Sequence, residues 1–100
     1  MIKHIVMWRL KDTAEGATKA ENAVKIKEIL EALMGVIPEI KALEVGFNVL
    51  ESPAGFDVVL YSEFASLEDL GAYQVHPEHE KCKDFIGKIV NDRAVVDYEV

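Results

Sequence analysis

Hydrophobic patterning along the chain predicts an α+β fold. Alternating, β-branched segments and segments with apolar residues every three or four positions follow one another in the order β-α-β-β-α-β. That order is the split βαβ arrangement of ferredoxin-like folds, a four-stranded antiparallel sheet with its helices on one face. A second observation concerns the strands themselves, which are apolar on both sides and so leave one sheet face with no helix to cover it. At 100 residues the chain is read as a single domain spanning residues 1–100.

The first strand is "IKHIVMWRL", Ile2 to Leu10, in which Ile2, His4, Val6, Trp8 and Leu10 share one side and Ile5 and Met7 the other. Asp12, Thr13 and Gly16 then mark a loop. From about Ala17 to Met34 the period changes: Ala23, Ile26, Leu30, Leu33 and Ile37 step by three and four, with Glu21, Lys25, Glu28 and Glu31 opposite. Glu21 and Lys25 stand four apart, a spacing that favours an ion pair. Gly35 and Pro38 end this helix. Leu43, Val45, Phe47 and Val49 alternate as a second strand, "ESPAGF" turns the chain, and Phe56 to Phe64 returns as its hairpin partner. On that third strand Val58, Leu60 and Phe64 lie on one side, Val59 and Tyr61 on the other.

Ser66 followed by Asp69 has the pattern of a helix N-cap, and Leu67, Leu70 and Tyr73 continue a short helix. "HPEH" restarts it. Pro77 suits a first helical position, where its missing N–H costs nothing, and Glu78 and Glu80 complement the positive helix end. Cys82, Ile86, Ile89 and Val90 form the buried stripe, and "AVVDYEV" closes the chain as a fourth strand. With two apolar sheet faces and helices for only one, packing of sheet on sheet in a two-fold homodimer is the expected solution.

Composition excludes several functions. Half the residues are hydrophobic and the formal charge is −7, so nucleic acid and anionic membrane are not expected partners. A single cysteine rules out an internal disulfide and fits a reducing, cytoplasmic setting. No apolar run approaches the length of a membrane-spanning helix. The first strand begins at Ile2, which is read as leaving no room for a signal peptide.

Chemistry concentrates in "AYQVHPEHEKCKDFI", which holds two of the three histidines and the one cysteine. His79 falls in the first turn of the last helix on the stripe that continues through Cys82 and Ile86, so it is expected to point inward. His4 shares a strand face with Val6 and Trp8; if the helices cover that face, His4 and His79 converge. Tyr73 adds a phenol. A neutral imidazole and a phenol beside an apolar cavity make a general base and a hydrogen-bond donor, and partial burial at a helix N-terminus disfavours imidazolium. The competing reading is that His79 bonds to His4 or a carbonyl and only satisfies the core. His76, preceding Pro77, is read as a cap. Cys82 is read as a small core residue. No three or four ligands have a zinc signature, and no phosphate-binding glycine loop is present, so neither metal nor organic cofactor is expected.

"MIKHIV", "GFDVVLYSEFASLEDLGAYQVHPEH" and "RAVVDYEV" together resemble the stress-responsive dimeric α/β-barrel (Dabb) family, over essentially the whole chain. The resemblance implies ferredoxin-like protomers whose sheets pack face to face as a homodimeric α/β barrel. It implies fold more narrowly than activity: a pocket carrying His4, Tyr73 and His79, lined by Val6, Trp8, Ile26, Leu30 and Leu60, for a small apolar or carbonyl-containing ligand. One branch, that of the plant olivetolic acid cyclase, closes a polyketide by aldol condensation without a cofactor. The resemblance matches its base to His79, its phenol to Tyr73 and its strand histidine to His4. Trp8 departs from a leucine of that branch and would shorten the cavity.

Overall fold

The computed structural model describes residues 1–100. Strands β1 (Ile2–Leu10), β4 (Ala42–Phe47), β5 (Val58–Phe64) and β6 (Val90–Glu99) form one antiparallel sheet in the order β4-β5-β1-β6. Helices α1 (Lys19–Glu31), α2 (Leu67–Gln74) and α3 (Pro77–Ile89) complete the protomer. The fold is therefore ferredoxin-like, as the order of patterns predicts.

Burial follows the two-residue period of the central strand. Ile2, His4, Val6, Trp8 and Leu10 are buried, while Lys3, Ile5, Met7 and Arg9 between them are half-buried on the opposite face. Val58, Leu60, Ser62 and Phe64 extend the buried side across β5. Ile26 and Leu30 from α1, Leu70 and Tyr73 from α2, and Cys82, Ile86 and Ile89 from α3 close over it. The outer face keeps Val96 and Tyr98 exposed beside Ile5 and Met7.

Four boundaries differ from the sequence reading, each for a local reason. The loop at Asp12–Gly16 contains a two-rung hairpin, β2 (Thr13–Ala14) against β3 (Ala17–Thr18). Glu15 at φ 52° and Gly16 at φ 73° make its turn, the two successive positive-φ residues that suit a tight hairpin. Ala17 is thereby spent in a strand, and α1 begins at Lys19. A capping box holds that start: Glu21 N–H donates to Thr18 Oγ1 (3.2 Å) and Thr18 N–H to Glu21 Oε1 (2.9 Å). Glu21 is thus unavailable to Lys25, and the ion pair on this helix is Lys27–Glu31 at 2.7 Å. Those two side chains also bond the carbonyl and N–H of Val45, at 2.7 and 3.1 Å, tying α1 to the edge strand. Finally, Val90 belongs to β6, because α3 runs into the last strand without a loop, and Val49, expected in the second strand, is exposed beyond the end of β4.

The capping box gives a direct stability test. Thr18→Ala should lower unfolding free energy by about 1 kcal/mol in urea titrations, with Thr18→Ser recovering most of it. An unchanged midpoint would mean that α1 does not depend on this cap.

Candidate functional site

The junction between α2 and α3 builds the centre of the site. Ser66 caps α2 by accepting from Asp69 N–H at 3.1 Å, and α2 ends at Gln74, whose carbonyl is one of the last-turn groups with no helical partner. Only Val75 and His76 intervene before Pro77 opens α3. His76 caps α3, its Nδ1 accepting from Glu78 N–H at 3.1 Å. That capping spends one ring nitrogen on the helix terminus. His79 follows in the first turn, and its Nδ1 lies 3.1 Å from the Gln74 carbonyl oxygen.

That contact decides the tautomer. A carbonyl oxygen can only accept, so Nδ1 carries the proton, and in the neutral ring Nε2 carries the lone pair. Burial, the largest influence, holds the His79 pKa below the ordinary imidazole value of 6.5; the Gln74 bond opposes this, and the nearby Lys83 charge reinforces it. The ring is thus a neutral imidazole at pH 7 with one nitrogen free to take a proton.

Tyr73 lies against His79, ring centroids 4.2 Å apart, and against Phe64 at 4.9 Å. It is fully buried, and its hydroxyl is the one buried side-chain polar atom with no hydrogen-bond partner. Burial pushes the phenol well above its usual range, with Cys82 adding to the effect, so it stays protonated. An orphaned, protonated O–H is a donor without an acceptor, a costly arrangement in a core.

His4 completes the set. Its ring centroid is 6.1 Å from that of Tyr73, and its Nδ1 lies 2.5 Å from Asp97 Oδ1. The carboxylate accepts from Nδ1–H and fixes the ring. Asp97 is opposite His4 in the β1–β6 register. Sequence reasoning passed over it, although its alternation with Val95 on the closing strand places it on the helix-facing side. On the other flank of β1, Ser62 Oγ donates to the His4 carbonyl at 3.0 Å.

Between α3 and the sheet lies a cavity of about 590 Å³. His4, His79, Val6, Trp8, Leu30 and Leu60 line it, together with Cys82, Ile86 and Val90 and, among polar groups, Lys83 and Arg93. Two residues expected at the pocket are not among its lining. Ile26 is fully buried in the core, one helical turn before Leu30, the α1 side chain that does line the cavity. Tyr73 is packed against His79. Cys82 is a core thiol, its Sγ 3.6 Å from the Ile29 carbonyl, with burial raising its pKa. No group of three or more His, Cys, Asp or Glu side chains converges in a way that could hold a metal ion.

A ferredoxin-like protomer with one open sheet face and a cavity beneath its last helix defines a class of small α/β-barrel domains. Residues 2–100 match the family model described as the stress responsive A/B barrel domain, Dabb, and the chain belongs to that family. A dimeric ferredoxin-like protein from Bacteroides fragilis is 36% identical and superposes with a TM-score of 0.86, covering 99% of this chain and 95% of that one. A stress-response A/B barrel domain-containing protein of Arabidopsis thaliana is 29% identical over 98% of this chain and 36% of its own length. The chain spans less than half the length of the curated Arabidopsis relatives it matches. A hydroxynitrile lyase from Passiflora edulis, 22% identical with a TM-score of 0.78 over 97% of this chain and 90% of that one, shares the fold. No helix here is long and apolar enough to cross a membrane.

Two consequences are measurable. Because the Tyr73 hydroxyl is buried and unpartnered, Tyr73→Phe should leave stability unchanged or raise it by up to about 1 kcal/mol; a clear loss would reveal a partner. The depressed His79 pKa means that the unfolded chain binds more protons than the folded one between that lowered value and 6.5. The His79 contribution is therefore complete above pH 6.5 and lost as pH falls through the folded pKa. His79→Gln should flatten that part of the stability–pH curve, and an unaltered curve would contradict the assignment.

Proposed function

We propose that this chain works as a homodimer in which each cavity binds a small carbonyl compound, with His79 as general base and no cofactor. The observation that carries this reading is the Gln74 carbonyl on His79 Nδ1, which leaves Nε2 as the one basic nitrogen of the ring. In the reaction, Nε2 removes a proton from the carbon next to the carbonyl, and the C–H electron pair moves onto the carbonyl oxygen as an enolate. The Tyr73 hydroxyl, a donor without an acceptor packed behind His79, supplies a hydrogen bond to that oxygen once ligand binding brings the phenol to the cavity wall. His4, its ring fixed by Asp97, also lines the cavity and orients the bound carbonyl. The enolate then attacks a second carbonyl, whose π electrons move to its oxygen and take the proton from the His79 imidazolium as in an aldol closure, or the enolate carbon is itself reprotonated by that imidazolium. Every step uses groups of this chain alone.

The base reading can be tested without the physiological substrate, by following deuterium exchange at the α-carbon of 2-octanone in D₂O by NMR. The protein should accelerate exchange, and the rate should rise with pH through the depressed His79 pKa before levelling off. His79→Gln should remove the acceleration, and Tyr73→Phe should reduce it by roughly ten- to a hundredfold. Exchange by His79→Gln at the wild-type rate would sink the base assignment. Binding of the ketone with no exchange would reduce the cavity to a binding site.

The homodimer reading rests on the uncovered sheet face. Val96 and Tyr98 are 52% and 44% exposed there, flanked by a Lys3–Tyr61–Glu63 network with contacts of 2.7–3.1 Å. A second copy meeting this face would bury those side chains and complete the barrel. Light scattering should report a dimer for the wild type and a folded monomer for Val96→Asp; a monomeric wild type at micromolar concentration would overturn the arrangement.

A further inference from the structure

The cavity has two chemically different ends. Strand register separates them: His4 pairs with Asp97 and Trp8 with Arg93, four residues along β6, or roughly 13 Å at the rise of an extended strand. His79 stands at the His4 end, both rings lying against Tyr73, and Val90, where α3 passes into β6, is at the Trp8 end, paired with Leu10. Between the ends the walls are apolar, from Val6, Leu60 and Ile86.

Arg93 marks the far end. The chain has two arginines, and they are treated differently. Arg9 is engaged, with Asp92 at 3.1 Å, the Gly55 carbonyl at 3.3 Å and the Phe56 ring beneath it. Arg93 lines the cavity from its exposed side, and its guanidinium makes no ion pair or hydrogen bond within the chain; its backbone N–H donates to the Asp92 carboxylate. Lys83, one turn after His79 on α3, lines the same cavity with its ammonium 3.4 Å from Glu80. The lining thus carries two cations against one carboxylate, in a chain whose net charge is −7. An unengaged guanidinium offers a planar fork of donors suited to a carboxylate.

We propose that the ligand is an elongated keto acid whose carboxylate is held by Arg93, with Lys83 nearby, while its carbonyl lies between His79 and His4. This rests on the reading of the cavity as a carbonyl-binding site and adds the second functional group of the ligand. Arg93 acts as a specificity residue: it selects acids over neutral ketones and anchors the chain so that the carbonyl reaches the histidines.

The test compares 7-oxooctanoic acid with its methyl ester, by calorimetric titration at low salt against wild type, Arg93→Gln and Arg93→Lys. Wild type should bind the acid about tenfold or more tightly than the ester, the strength expected of a charge-assisted contact. Arg93→Gln should abolish that preference without weakening ester binding, and Arg93→Lys should retain part of it. Equal binding of acid and ester by wild type overturns the proposal while leaving the carbonyl site intact. So does equal weakening of both ligands by Arg93→Gln. Binding of neither ligand overturns the proposal and the carbonyl site together.

Discussion

The pairing of the first strand with the last determines what this protein can do. Strand β1 is central, bonded to β5 on one side and β6 on the other, and its alternation sends His4, Val6 and Trp8 to the helix face. Side chains on a strand have a period of two, so a slip of one residue would turn His4 outward with every other core residue of the strand. Such a slip would also separate His4 from Asp97 and Trp8 from Arg93. Burial of Ile2, Val6, Trp8 and Leu10 on one face therefore specifies the register, and the register in turn places the polar groups. The chemistry at both ends of the cavity follows from hydrophobic packing in the middle.

The second constraint is the tight joint between α2 and α3. Helix ends leave carbonyls without partners, and here the restart at Pro77 brings an imidazole to one of them. His76 and His79 are three residues apart yet held differently: one ring accepts from a helix N–H, the other donates to a helix carbonyl. The same backbone shortage thus sets the tautomer of each. Tyr73, packed against His79, bears an unpartnered hydroxyl, a cost to the core that the proposed carbonyl site would recover on binding its ligand.

Much of this could be read from the chain, because hydrophobic period and capping chemistry are local. The order of the strands and helices, the Ser66 and His76 caps, Pro77 at the first helical position and the facing of His4 all follow from spacing. What was missed depends on long-range register or on competition between local bonds. Asp97 and Arg93 gain their places only once β6 is aligned with β1, 93 positions from His4 in the case of Asp97. Glu21 carries both a capping pattern and an ion-pair spacing, and the capping bond with Thr18 prevails. Ile26, placed at the pocket by the family resemblance, sits in the core one turn before Leu30, and a helix face does not reveal which of its apolar residues meets a cavity and which meets the sheet. The Gln74 contribution is a backbone carbonyl, to which no side-chain pattern points.

A neutral imidazole with its proton on Nδ1 is the feature on which the site's chemistry turns. Long-range ¹⁵N–¹H correlation spectra of the histidine rings at pH 7 would read it directly, with His79→Gln identifying the signal. A protonated, pyrrole-type Nδ1 and a bare, pyridine-type Nε2 on His79 are the expected result. A proton on Nε2, or a cationic ring at that pH, would contradict it and remove the base from the cavity.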